Sequence, residues 1–503
     1  MPRFRFTAPT VLAALLALAA CSDDSTAPMT PPSAVRAGAG PIPTRAQERP
    51  GTFADMPDDA LWPHVAASEG VVTVGLRAAG APRGVWKGQV LIGAQARGEA
   101  QRAVLAQRGV TLLGSDDLLP RVKVRLDGPE ALRAVRRLGV VDYVEPMVAV
   151  GDLNSHAGVG GCSWGDAWTG DRQYTASGDV YSQKLTAMNV PSAWTLSSGA
   201  GITIGLIDTG ISSGQGQFLS TFTAGESYGR TLRLMYVTPT FTSAYDECGH
   251  GTRMAGIIAA PRDGRSVGGI AYRSSLISVR HANGVAAVSS SDAAASVRGA
   301  SQNGSQVVVM AWESLNWWWQ VSDEIEYWHY SRPILFVAAA GTSGCGDGIL
   351  DSNVVFPADM PEVMAVTGIT YPGGGVPCGI HHGPDVEVTA YLDIPSTGRY
   401  TADVVGMGGS SNTTAVVGSI PARVWSRTHP RPHPRPGARP PAAGRRLLPH
   451  PALRAGLRLG ERAHGGARVL NPQPRRRQFD PAARYNRAEA PHRFGGGGLL
   501  VSS

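Results

Sequence analysis

Lysine is almost missing from this chain. It occurs only at Lys87, Lys123 and Lys184, so nearly all of the 46 basic residues among 503 are arginine, a skew that points to a GC-rich coding sequence. Positive charge is also unevenly spread. The formal net charge is +7, yet beyond Ser426 there are 16 arginines against three acids, so the rest of the chain is mildly acidic. The basic balance therefore describes the C-terminal segment and not the body of the protein. Cysteine is scarce too, at Cys21, Cys162, Cys248, Cys345 and Cys378. What is plentiful is length, enough for one large α/β domain plus smaller modules.

The N-terminal apolar run, Val11 to Ala20, is too short and wrongly flanked to span a membrane. Preceded by Arg3 and Arg5, it reads as an export signal over residues 1–20. Its Leu18-Ala19-Ala20-Cys21 ending is similar to a bacterial lipoprotein cleavage box, which would lipidate Cys21 and anchor the protein to a membrane; an ordinary signal peptide with an incidental cysteine is the alternative. In an exported chain the four remaining cysteines suggest two disulfides, with three pairings open. Residues 21–85, rich in Pro, Ala, Thr and Gly, read as a flexible tether.

Residues 86–150 carry a compact pattern. A strand near Val90-Leu91-Ile92, a helix from Gly98 to Arg108, a strand from Val110 to Leu113, the alternating strand Arg121 to Leu126, a helix from Pro129 and a strand from Val140 to Val148 give a β-α-β-β-α-β order. This is a small α+β, ferredoxin-like module. Gly151 to Asp179 is Gly-rich and turn-like. Farther on, Ile202 to Ile207, Leu276 to Val279, Gln306 to Met310, Ile334 to Ala340 and Val363 to Val366 read as buried parallel strands, with a helix from Ser291 to Asn303 between two of them. Their sum is a doubly wound α/β sheet, whose active residues gather at the carboxyl ends of strands.

Three stretches hold an Asp/His/Ser set: Gly205-Leu206-Ile207-Asp208-Thr209-Gly210, Gly249-His250-Gly251-Thr252 and Gly409-Ser410-Ser411-Asn412-Thr413-Thr414-Ala415. A serine hydroxyl needs a base to take its proton, and an imidazole does this well when a carboxylate fixes its tautomer. The order Asp, His, Ser differs from the chymotrypsin and α/β-hydrolase orders, and no G-x-S-x-G surrounds either serine, which argues against an esterase. On these motifs the chain resembles the subtilisin-like serine proteases, or subtilases. The resemblance implies a subtilisin-like catalytic domain over 151–426 with Asp208, His250 and Ser411 as the triad, Ser410 being the competing nucleophile. It also implies that 86–150 is an inhibitor-type propeptide, which templates folding and then blocks the cleft, with maturation in the turn-like stretch that follows it. Cys162 with Cys248 and Cys345 with Cys378 is the favoured pairing, because both would brace loops beside these stretches.

The chain departs from the family pattern in several places. After Ala338-Ala339-Ala340-Gly341 the usual oxyanion Asn is Thr342, which would act with the Ser411 backbone N–H; loss of such a donor costs about 100- to 1000-fold in turnover. In the expected substrate-pairing strand, Ala311, Trp312 and Glu313, the last replaces a glycine that permits close backbone approach. Arg253 stands where another histidine is usual. Trp317, Trp318, Trp319 and Trp328 read as packing residues more than as a pocket lining. Pro421 and Arg423 are expected to compromise the helix after Ser411. Residues 427–503 form an Arg/Pro-rich tail, read as disordered, as a nucleic-acid arm, or as a frameshift near Arg427; the bias without lysine favours the frameshift. The expected function is an exported serine endopeptidase acting on protein or peptide substrates, made as a self-inhibited zymogen, with no nucleic-acid partner; an impaired or truncated product is the alternative. No cofactor is required for this chemistry and no metal ligand set is readable, although the resemblance allows a structural calcium.

Overall fold

The computed structural model describes residues 53–80, 93–147, 162–284, 289–345, 352–428 and 499–502. The export signal, Cys21, the strand expected at Val90 to Ile92 and residues 429–498 of the tail lie outside them.

The N-terminal module is a four-stranded antiparallel sheet of β1 (Val71–Leu76), β2 (Val110–Ser115), β3 (Arg121–Leu126) and β4 (Val141–Pro146), in the order β2-β3-β1-β4. Helices α1 (Asp58–Ala67), α2 (Ala94–Leu105) and α3 (Pro129–Arg136) accompany it. From β1 onward the element order is the expected β-α-β-β-α-β, but its first strand is Val71–Leu76, inside the span read as a tether. Phe53, Leu61, Val65, Val72 and Val74 are all buried, so the tether reading fails over this stretch. The physical reason is that Val71-Val72-Thr73-Val74 is a central strand covered on both faces and shows no alternation to mark it.

The larger sheet contains β5 (Thr203–Asp208), β6 (Leu232–Val237), β7 (Ser275–Arg280), β8 (Val307–Met310), β9 (Leu335–Ala339), β10 (Val363–Ile369) and β11 (Val388–Tyr391), all parallel. The order is β11-β10-β9-β8-β5-β7-β6, and an antiparallel edge strand, β12 (Leu499–Ser502), pairs with β6. All five expected strands are present with ends within three residues of those expected, whereas β6 and β11 were not anticipated. β12 places four residues of the expected tail in a strand.

Alternation along each strand divides the apolar side chains between the two faces of the sheet. Val308, Met310, Phe336 and Ala338 join one cluster with α5 (Ser290–Gln302) and α6 (Trp319–Ser331). That cluster continues into the N-terminal module through Val72, Leu132 and Val144. Val307, Val309, Leu335 and Val337 face the other way, toward α4 (His250–Ala259) and α7 (Gly409–Thr428). Helix α7 lies so close to β8 that a Cβ on Gly418 would stand 2.4 Å from Val309 Cγ2.

Helix α7 corrects an expectation. It runs unbroken for 20 residues through Pro421, and Arg423 sits inside at 3% exposure. The guanidinium is accommodated because it donates to Ile270 O at 2.8 Å and also to Ala193 O. Burial lowers its pKa to about 10, which still leaves it charged at neutral pH. Two of its three nitrogens thus have acceptors, which offsets part of the cost of burying the group.

Candidate active site

Asp208 is the last residue of β5, so its carboxylate emerges at the carboxyl end of the central strands. The chain then turns at Gly210, where φ is +104° and a Cβ would meet Ala244 O at 2.3 Å. Both demands exclude other residues. His250 opens α4, and its Nδ1 lies 2.8 and 3.0 Å from the two Asp208 oxygens. Asp208 and His250 are each 2% exposed. A carboxylate can only accept, so Nδ1 carries the hydrogen and Nε2 is left with the lone pair that a base requires.

Asp246, absent from the sequence reading, organises this corner. Its Oδ1 accepts from Thr209 Oγ1, Cys248 N and Gly249 N at 2.8 to 2.9 Å. Its Oδ2 accepts from Thr252 N at 2.9 Å and Thr252 Oγ1 at 2.6 Å. The carboxylate thus satisfies orphan N–H groups at the start of α4 and ties that end to Thr209, beside Asp208. No standard capping signal marks it, because the N-cap position is Gly249 and Asp246 stands three residues before it. Arg253, in the first turn of α4, is buried; burial lowers its pKa, while Asp208 and Asp246 oppose the shift.

Serines 410 and 411 open α7 and differ sharply in setting. Ser410 is 1% exposed, and its Oγ is bonded to Thr342 Oγ1 at 3.0 Å and accepts Gly341 N–H at 3.3 Å. Ser411 is half-buried, with its Oγ donating to Ala311 O at 3.0 Å. The structure therefore brings Ser411 to the segment Ala311 to Glu313, which follows β8 and, unlike the expectation, lies beyond the end of that strand at Met310. Thr342 Oγ1 accepts Ser410 N–H at 3.0 Å.

Glu313 is buried, and its Oε2 accepts Thr342 N–H at 2.9 Å. Burial pushes its pKa up to about 7, against the lowering effect of that N–H bond. Trp312 is buried, with its ring 5.1 Å from His281 and stacked on Trp318 at 6.4 Å. Trp317, Trp318 and Trp328 are all at most 5% exposed, so they pack the core. His281 was also missed by sequence reasoning. Its backbone N–H donates to Asp208 O at 3.1 Å, and burial lowers its pKa to about 4, keeping the imidazole neutral.

The cysteines pair as favoured, Cys162 with Cys248 and Cys345 with Cys378, at S–S distances of 2.23 and 2.00 Å. Cys248 stands two residues before His250. Among the described residues no group of three or more His, Cys, Asp or Glu is arranged to hold a metal ion, and no helix is long and apolar enough to cross a membrane.

Subtilisin DY of Bacillus licheniformis is 28% identical over 172 residues, covering 33% of this chain and 56% of that protein. Fervidolysin of Fervidobacterium pennivorans is 23% identical over 325 residues, covering 57% of this chain and 42% of its own length. The crystal structure of fervidolysin, described as a keratinolytic enzyme related to subtilisin, superposes with a TM-score of 0.50 at 18% identity, over 72% of this chain and 55% of that one. The chain thus spans less than two thirds of the length of these relatives. The model of the subtilase family matches residues 199–473, more than half of the sequence, and the chain belongs to that family.

Proposed function

We propose that the protein is a serine endopeptidase that cleaves peptide bonds through an acyl-enzyme, with Ser411 as nucleophile, His250 as base and Asp208 as its orienting carboxylate. The observation that carries this reading is the paired contact of His250 Nδ1 with both Asp208 oxygens, in a corner where Asp246 fixes the helix bearing the imidazole. Ser411 is favoured over Ser410 because it is the more accessible, while the Ser410 hydroxyl is engaged with Thr342 and Gly341.

In this mechanism Ser411 Oγ forms a bond to the substrate carbonyl carbon as its proton passes to His250 Nε2. Asp208 stabilises the resulting imidazolium. The oxyanion takes the Ser411 backbone N–H at the start of α7, where the helix dipole also favours negative charge. Collapse breaks the C–N bond, and His250 returns its proton to the departing amine. Water then repeats the sequence on the acyl-enzyme. Thr342 supplies no free side-chain amide, so slow turnover is expected.

The N-terminal module is proposed to be the propeptide of a zymogen, which deepens the same reading. Its last strand runs directly onto the catalytic domain, where Met147 O accepts Ser290 N–H at 3.2 Å at the head of α5. Export with lipidation of Cys21, and structural calcium, are part of the proposal on family grounds alone. Fluorophosphonate labelling of the full chain, incubated to allow maturation, is the test. The wild type and Ser410→Ala should label and Ser411→Ala should not; persistent labelling of Ser411→Ala overturns the assignment.

A further inference from the structure

We infer that the segment Cys162–Trp168 is a strap that positions the proposed base against the proposed nucleophile, and that the Cys162–Cys248 disulfide is its redox-sensitive latch. The inference rests on the Ser411 reading given above.

The strap touches the approach to both catalytic helices. At its first end Cys162 is bonded to Cys248, two residues before His250. The next two residues lie against Gly249, which immediately precedes α4: a Cβ there would stand 2.5 Å from Ser163 O and 3.0 Å from the Trp164 ring. At its other end the strap runs antiparallel to residues 404–406, which lead into Gly409 and Ser411. Asp166 O accepts Gly406 N–H at 2.9 Å, Trp168 N–H donates to Val404 O at 2.8 Å, and Ala167 pairs with Val405 between them. Trp168 is buried, and a Cβ on Gly165 would stand 2.8 Å from Gly406 O.

These contacts close a ring around the site. Val404 and Val405 pair on their other edge with Thr397 and Ser396. Those two residues are bonded to α4 in turn: Thr397 Oγ1 donates to Thr252 O at 3.2 Å, and Ser396 Oγ donates to Arg253 O. The path from α4 through this hairpin to the strap returns to the head of α4 only through the disulfide and the Gly249 contact. How tightly it closes matters for the chemistry, because the single hydroxyl hydrogen of Ser411 is donated to Ala311 O. To react, that hydroxyl must turn to His250 Nε2, across a gap that the ring keeps narrow.

The latch is open to a reductant at one sulfur. Cys162 is exposed whereas Cys248 is buried, so a thiolate attacks the Cys162 sulfur and Cys248 leaves. The second thiol of a dithiol then displaces Cys162. The dithiol becomes a disulfide, and its two electrons and two protons end on the protein as the Cys162 and Cys248 thiols. In that form the strap keeps its bonds to residues 404–406 but loses its covalent hold on the loop before His250. A misplacement of about 1 Å between reacting groups can cost about 100-fold in rate. Because the hairpin still holds α4, a fall of about tenfold is expected. The protein thus acylates slowly while these thiols are reduced and faster once they are oxidised.

The experiment follows fluorophosphonate labelling of the matured full chain before dithiothreitol, after it and after reoxidation, below the melting temperature of each form. Rate constant, half-saturating probe concentration and final stoichiometry are recorded separately. Reduction should lower the rate constant at saturating probe about tenfold, leave the other two unchanged, and be reversed by reoxidation. Cys162→Ser/Cys248→Ser should stay at the slow rate and ignore the dithiol, whereas Cys345→Ser/Cys378→Ser should still respond. Gly165→Ala, which presses the strap away from Gly406 with the disulfide intact, should slow the oxidised protein too. A rate constant unchanged by reduction, by Cys162→Ser/Cys248→Ser or by Gly165→Ala overturns the latch while leaving Ser411 standing. So does a dithiol response that persists in Cys162→Ser/Cys248→Ser, or a final stoichiometry that drops together with the melting temperature, since the disulfide then serves the fold alone. Absence of labelling in the oxidised wild type overturns the Ser411 reading and this one together.

Discussion

Trp319 and Glu145, 174 positions apart, meet through a hydrogen bond of 2.6 Å from the Trp319 backbone N–H to Glu145 Oε2. The other oxygen accepts Gln320 Nε2 at 2.9 Å and Gln320 N–H at 3.4 Å. A residue at the end of β4 thereby satisfies the opening N–H groups of α6, which has no side-chain cap of its own. The Tyr143 ring stacks on Trp319 at 6.0 Å, two residues earlier on the same strand. Glu145 is fully buried, so Glu145→Ala would strand at least two donors. A destabilisation of about 2 kcal/mol or more is expected, read as a lower urea midpoint. Glu145→Gln should lose less, because its amide oxygen still accepts one of them.

The same interface should respond to pH. Burial pushes the Glu145 carboxyl up to about 7, its hydrogen bonds to Gln320 and Trp319 opposing the shift. Burial likewise raises Asp323 to about 7, against the Arg121 charge and the 2.6 Å bond from Tyr143 OH. Both folded-state values lie above those of an unfolded carboxyl, so their contribution is complete below about pH 4 and is lost as pH rises through about 7. By contrast, Asp116 is held well below the usual carboxylate range, since Arg121 and Arg298 outweigh its burial. It stays ionised throughout that interval. Hydrogen exchange of the β1 to β4 amides should therefore be faster at pH 8 than at pH 5 after correction for intrinsic rates. A Glu145→Gln/Asp323→Asn double variant should flatten the difference.

Asp246 offers a sharper test of how the His250 helix is held. Its five short hydrogen bonds come from Thr209, Cys248, Gly249 and Thr252. Asp246→Ala leaves several buried donors unmet and should destabilise the protein by about 3 kcal/mol or more. It should also slow Ser411 labelling, because the imaginary axis from Asp208 to His250 is set by this corner. Asp246→Asn, which keeps one acceptor oxygen, should fall between the two. Equal labelling rates in all three proteins would show that Asp246 serves stability alone.

These residues mark what was legible and what was not. Asp208 and His250 were readable because each sits in a short, glycine-punctuated block whose chemistry demands those residues in that order. The five expected strands were readable because continuous apolar runs bounded by turn residues survive in a buried parallel sheet. Strand β1 escaped notice because it lies among Pro-, Ala- and Gly-rich neighbours, and its burial depends on β3 and β4, which come later in the chain. Glu145, Tyr143 and Arg121 look like ordinary polar positions of a strand. Only the docking against α5 and α6 buries them, through contacts such as Arg121 with Glu324 and Tyr143 OH with Asp323 Oδ2 at 2.6 Å. Arg423 was misjudged for the same reason, since its carbonyl partners on Ala193 and Ile270 are more than 150 positions away.

Thr342 should be improvable. Its hydroxyl is committed to Ser410, accepting the N–H and bonding to Oγ, both at 3.0 Å. In Thr342→Asn a carboxamide oxygen can accept Ser410 N–H while the NH2 group remains as a donor for the oxyanion. Labelling or peptidase turnover should rise about tenfold or more, within the range that such a donor supplies elsewhere. Stability should change little, because the Thr342 backbone N–H keeps Glu313 as its acceptor. An unchanged rate would mean that the side chain at 342 does not reach the reacting carbonyl.

Pro421 lies within α7, three turns after Ser411. Lacking an N–H, it cannot donate to the carbonyl of Val417, and its ring crowds that turn. The helix persists because it is anchored on both sides of the proline. Ser419 Oγ donates to Ala415 O at 2.6 Å, Trp425 is buried in the apolar cluster, and Arg423 reaches Ile270 O at 2.8 Å. Restoring the missing hydrogen bond should therefore stabilise the fold, and Pro421→Ala is expected to gain about 1–3 kcal/mol. A cavity left by the smaller side chain works against this gain, since Pro421 is buried. Pro421→Ala should nonetheless raise the urea midpoint, because a helix interior rewards alanine more than any other residue. Arg423→Ala should lower it, since it leaves a cavity and removes one donor each from the carbonyls of Ile270 and Ala193, which keep Trp194 Nε1 and the Leu196 and Ser197 N–H groups. If Pro421→Ala unfolds earlier than the wild type, packing of the pyrrolidine ring outweighs the regained bond, and α7 is held by its tertiary contacts more than by its own backbone.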